Sequence, residues 1–139
     1  MKTHLSAAAC AALLLAFNAH AAGLGDPEMN VPQRLVEVSA SQDVPAGDPR
    51  VAAAREQLAR VAKATGENEQ AVAQICMRNA RYIFDASRQR ASPLEVLEML
   101  AKHARAGKPL SETTHRYSTL RVQQKLGHAE AMAALAAGK

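Results

Sequence analysis

Residues 92–107 read SPLEVLEMLAKHARAG, and their pattern decides the fold. Ser92 can accept from the third helical amide while Glu95 reaches back to the serine's own N–H, and Pro93 takes the first helical position. Leu94, Leu97, Ala101 and Ala104 then recur on one face, with Val96, Met99 and Leu100 beside it, until Gly107-Lys108-Pro109 stops the run. This is a capped amphipathic helix of ordinary length.

The same grammar extends in both directions. Asp48-Pro49 opens a helix in which Val51, Ala54, Leu58, Val61, Ala62 and Thr65 repeat at three- and four-residue steps, and Gly66 ends it. Asn68 opens another, with Glu69 in its first turn and Val72, Ile75, Cys76, Asn79, Ile83 and Ala86 on the inward face. It closes at a turn around Arg90-Ala91. Beyond Pro109, Ser111 begins a fourth helix through Tyr117, Leu120 and Leu126, and a short last helix covers residues 129–137. The expected fold class is all-α, a small bundle of four to five short antiparallel helices over residues 48–139.

Residues 22–47, AGLGDPEMNVPQRLVEVSASQDVPAG, break that grammar. Gly, Pro, Ser and Asp fall at irregular intervals, residues 34–38 alternate weakly, and Pro32 and Pro45 bracket them. The expectation is a flexible arm or linker. Residues 1–21 read as a cleaved signal peptide: Lys2 and His4, an uncharged apolar run over 5–17, and Ala19-His20-Ala21 as the exit site. The run falls short of the ~20 residues that a spanning helix needs. Cys10 precedes Leu13-Leu14-Leu15 instead of following it, so no lipid anchor is expected. A periplasmic or secreted product follows, not membrane-spanning.

The chain has 139 residues, 48% hydrophobic but only 3% aromatic, enough for one domain. Much of the apolar share is alanine. Loss of the leader would leave Tyr82, Phe84 and Tyr117 as the aromatics, so the core is thin and a partner or self-association is expected to complete it. Charge is uneven: residues 22–77 carry five basic and eight acidic side chains, residues 78–139 eleven and five. Such polarity steers a protein towards anionic partners without bearing on fold.

Motifs for chemistry are absent. Cys76, the remaining thiol after cleavage, sits on the inward stripe and reads as a buried thiol or, alternatively, a dimer disulfide. His103, His115 and His128 lie too far apart for a local metal pattern, and a Cys76–His103 dyad has no supporting context. Glu67 with Glu69 and Glu95 with Glu98 are explained by a turn and a cap. There is no Gly-rich phosphate loop and no nucleophile elbow. No enzyme activity, cofactor or metal is expected. The string Gly127-His128-Ala129-Glu130-Ala131-Met132 resembles part of a Sel1-type repeat, but Gln123-Gln124 replace the paired alanines and no second copy occurs, so no family is assigned.

What remains is a surface. Three large apolar side chains in a row, Tyr82-Ile83-Phe84, cannot all face inward, and Arg78, Arg81 and Arg88 fall roughly on one face of the same helix. Arg78, Arg81, Tyr82, Phe84 and Arg88 are therefore the candidate interaction surface. Export and the lack of interleaved aromatics argue against nucleic acid. The function expected is a non-catalytic envelope protein acting through protein–protein contacts, as an inhibitor or immunity factor, adaptor or chaperone. The alternative is a binder of anionic lipid or lipopolysaccharide headgroups through the basic carboxyl-terminal half.

Overall fold

The computed structural model describes residues 30–138, and the leader read over 1–21 lies outside them. Six helices form the described chain: α1 (Val31–Ala40), α2 (Pro49–Thr65), α3 (Glu69–Ser87), α4 (Pro93–His103), α5 (Leu110–Val122) and α6 (His128–Ala136), with no strand among the described residues. No helix of the described chain is long and apolar enough to cross a membrane.

The start signals work as their chemistry dictates. Asp48 accepts from the Arg50 amide and Asn68 from the Ala71 amide, each supplying an acceptor to a first-turn N–H. Arg50 also clamps the Asp48 carboxylate at 2.7 Å, and these contacts hold that carboxyl at about 2. Ser92 and Glu95 close the expected capping box, at 3.1 Å and 2.9 Å. Gly66 ends α2 with φ of +76°, the left-handed conformation that glycine adopts without a steric penalty.

Helix α1 corrects the expected arm, and with it the helix count, which is six. Residues 31–40 are helical because Asn30 accepts from the Gln33 amide, Pro32 sits in the first turn where its missing N–H costs nothing, and Pro32, Leu35 and Val36 fall on one face. The weak alternation over residues 34–38 is the same apolar set seen at the wrong period. Ser41 ends the helix at φ 55°. The following loop re-enters the core at Val44, whose carbonyl accepts from the Gln33 side chain at 2.8 Å.

Two later boundaries also move. Helix α5 starts at Leu110, with extended Pro109 as its cap, because Leu110 is already buried. It stops at Val122. Lys125 turns left-handed (φ 57°) and the Leu126 N–H returns to the Leu120 carbonyl, so Leu126 packs from a loop.

Helix α4 packs against all five other helices, and α3 against α1, α2, α4 and α5. Val96, Leu97, Met99 and Leu100 of α4 are wholly buried, with Leu58 and Val61 of α2, Val72, Cys76 and Ile83 of α3, and Tyr117 of α5. Helix α1 covers α2, α4 and α3, and Leu35 and Val36 are as buried as any residue of α4.

Burial of this depth makes α1 part of the folding unit. Leu35→Ala should therefore cost about 2–5 kcal/mol, the range for truncating a buried leucine. Urea unfolding followed by circular dichroism checks this; a change under about 0.5 kcal/mol, the scale of surface substitutions, would show α1 to be peripheral.

Candidate functional site

Helix α3 presents its outer side as a ridge between two grooves. Helical spacing puts Gln74, Arg78, Arg81 and Asp85 along the crest, all exposed. Ile83 points into the core. Its two neighbours lean out on opposite flanks: Tyr82 is 54% exposed and Phe84 44%, and these are the exposed large apolar side chains of the described residues.

The five residues of the expected surface do not form one flat patch. Arg81 pairs with Asp85 at 2.9 Å, an exposed ion pair of little energetic weight. Arg88 lies beyond the end of α3 as its left-handed cap (φ 59°), so its alignment with Arg78 and Arg81 is not helical. Its guanidinium stacks over the Phe84 ring at 5.7 Å. Arg78 and Tyr82 turn to the other flank.

On the Phe84 flank lies a groove of about 590 Å³ between the end of α1, the middle of α3 and the start of α4, lined by Val38, Met77, Ala80, Phe84 and Pro93 with Arg81 and Arg90. On the Tyr82 flank a smaller groove of about 360 Å³ runs between α3 and α5, past Ile75, Arg78, Asn79 and Thr114. The Asn79 amide donates to Ser118 Oγ at 2.7 Å, and its buried oxygen has no partner.

Sequence reasoning missed a polar network built on buried Arg121 and Tyr117. Arg121 is almost wholly buried on α5. Its Nη1 donates to Tyr117 Oη at 2.7 Å, and its Nη2 to the Arg90 carbonyl at 2.6 Å. Tyr117 Oη lies 2.7 Å from His128 Nδ1, and His128 Nε2 lies 3.2 Å from Glu98 Oε2. Arginine can only donate, so satisfying every group requires the tyrosine to donate to Nδ1 and the imidazole to carry its proton on Nε2, facing Glu98. The hydrogen bond from Lys102, aided by His128, holds the Glu98 carboxyl below its ordinary value. A carboxylate–imidazole–hydroxyl chain has the order of a catalytic relay, but the tyrosine is fully buried and its proton is committed to His128. The arrangement locks α4, α5 and the start of α6 together. The signal available in sequence was the i,i+4 pair Tyr117/Arg121.

Cys76 is free and fully buried, and loss of solvent pushes its thiol up to about 12. That is the opposite of an activated nucleophile. No hydrogen bond joins it to His103, which ends α4 near Arg105 and Arg116; burial and those cations hold its imidazole below the ordinary value. Among the described residues no three His, Cys, Asp or Glu side chains converge to hold a metal.

Comparison with known proteins finds no matching family model, no matching curated protein and no matching solved structure.

The buried acids set an alkaline limit on stability. Cys76 rises from 9.0 to about 12 and Tyr117, chiefly through burial, from 10.0 to about 12. The unfolded chain therefore loses these protons first, so the stability these two groups contribute is fully present below pH 9 and is lost as pH climbs from 9 towards 12. Urea midpoints across that range should decline in wild type. Cys76→Ala should remove the part of the decline beginning near 9, and Tyr117→Phe the part beginning near 10. A flat profile in wild type would contradict the burial of both groups.

Proposed function

We propose that this is a non-catalytic binding protein that works by contact with another protein in the cell envelope, and that α3 carries the contact. The observation that supports this most directly is the pair Tyr82 and Phe84, both solvent-facing on one helix whose intervening residue is wholly buried. Desolvating two aromatics on a rigid helix gives a large apolar gain at small entropic cost, and arginine beside aromatics is the composition found at the centres of protein interfaces. Ile83, packed into the core, fixes the orientation of both.

The chemistry of the interior favours the same reading. Cys76 is a quiet thiol, and the Tyr117 hydroxyl of the Tyr117–His128–Glu98 chain is buried. Export as an envelope protein rests on the leader pattern of residues 1–21, and soluble action after cleavage is part of the proposal. An inhibitor, an adaptor and a small chaperone all use such a module.

Site-specific photo-crosslinking in intact cells tests it. A benzophenone side chain in place of Tyr82 or Phe84 should give a light-dependent adduct with a defined protein band, whereas the same group at exposed Arg60 on α2 should give none. Absence of any adduct at both α3 positions would overturn the reading.

A further inference from the structure

The larger groove is built differently from a simple hollow, and its construction limits what it can hold. Its apolar surface comes from Val38 of α1, Met77, Ala80 and Phe84 of α3 and Pro93 of α4. Its inner polar groups are already paired. Ser39 Oγ donates to the Leu35 carbonyl at 2.7 Å and accepts from the Leu94 amide at 3.1 Å. The Ser92 hydroxyl accepts from the Glu95 amide, and the Glu95 carboxylate accepts from the Ser92 amide. Pro93 has no N–H. Every amide of the first turn of α4 is thus occupied, and the helix start that borders the groove offers no cradle for a phosphate.

Two arginines border the groove: Arg81, already paired with Asp85, and Arg90. Arg90 is exposed, and its side chain has no hydrogen bond or ion pair among the described residues, while its carbonyl is held from below by buried Arg121. The loop is further tied down where the Gln89 side chain donates to the Lys125 carbonyl at 2.8 Å. The cation is therefore anchored at its backbone and open at its guanidinium. Arg88 and Arg81 stand nearby; Glu95, the acid within the groove, is engaged by Ser92 and lies 3.7 Å from Arg121. A second copy of this surface supplies no free carboxylate for Arg90, since its Asp85 is paired with Arg81 and its Glu95 is engaged by Ser92.

The geometry points to this groove as a docking site for a short acidic, amphipathic segment of another protein. One apolar side chain of that segment sits between Met77, Ala80, Phe84 and Pro93, and a carboxylate forms a forked pair with Arg90. Arginine's planar fork matches a carboxylate with two parallel bonds, and the apolar floor supplies the anchor that a bare anion lacks. This rests on the contact reading above and adds the chemistry of the partner and its place on α3.

The test uses a random peptide library displayed on phage, selected on the folded full chain. Enriched peptides, made synthetically with a fluorescent label, are titrated by anisotropy against wild type, Arg90→Glu, Phe84→Ala and Arg60→Glu. All three positions are exposed, and circular dichroism checks that each variant folds. Enriched peptides should pair acidic with large apolar residues. Arg90→Glu and Phe84→Ala should weaken binding by about tenfold or more, the scale of losing a desolvated charge pair or an aromatic anchor, and Arg60→Glu, the same charge reversal at an exposed position of α2, should bind as wild type. Peptides lacking acids, or binding that survives Arg90→Glu, would overturn the proposal. So would salt-sensitive sedimentation with phosphatidylglycerol vesicles that the peptides do not displace, or concentration-dependent dimerisation abolished by Phe84→Ala. A crosslink at Tyr82 or Phe84 that ignores Arg90→Glu would leave the contact reading intact and remove only the groove.

Discussion

Helix α4 is surrounded. It touches all five other helices, and its part-buried start is satisfied by protein groups. That constraint explains the concentration of small polar groups at its start. Ser92 and Glu95 cap each other, and Ser39, from a helix fifty-five residues away in sequence, supplies the acceptor for the Leu94 amide. The hydroxyl of Ser39 thus joins the end of α1 to the start of α4. Without that contact, a part-buried amide would lose its protein partner, at a cost of about 1 kcal/mol.

The same requirement recurs at the other side of α4. A guanidinium buried as deeply as that of Arg121 is tolerated only where partners replace its hydration. Tyr117 Oη, the Arg90 carbonyl and, at longer range, Glu95 do so, and the ring of Tyr117 lies 5.6 Å from the cation. Arg121 Nε remains without a partner, so the compensation is incomplete. In a chain whose α3 buries Ala73, Cys76 and Ala80 in place of larger side chains, apolar area alone gives limited stability. The network adds geometric definition: it fixes the loop between α3 and α4, and α6 against both α4 and α5.

Most helices were legible because their start signals are local. Asp48-Pro49, Asn68 and the Ser92 capping box each place an acceptor and a first turn within four residues, and no tertiary information is needed to read them. Helix α1 was not legible. Ten residues with Pro32 inside carry only three buried positions, and a window that short fits a weak strand as well as a helix. What settles it is non-local, the cover that Leu35 and Val36 provide for α2 and α4. The site divides in the same way. That Tyr82 and Phe84 could not both be buried follows from helical geometry around Ile83. The grooves on either side, the left-handed placement of Arg88 and the burial of Arg121 depend on neighbours that sequence does not place.

The two flanks of α3 differ in a way that bears on their use. The Tyr82 groove retains a buried amide oxygen without a donor at Asn79, a cost that neither the helix nor α5 relieves. Along the Phe84 groove Ser39, Ser92 and Glu95 are paired, and the open valence at the rim is the Arg90 cation, whose backbone is already held. A rigid frame with an unpaired charge at its edge loses little entropy on binding, because the loop that carries Arg90 has been ordered by folding. Folding the chain and preparing the surface are therefore one process: Arg121, buried to join α5 to the α3–α4 loop, also keeps the Arg90 backbone fixed where a partner's carboxylate can meet its side chain.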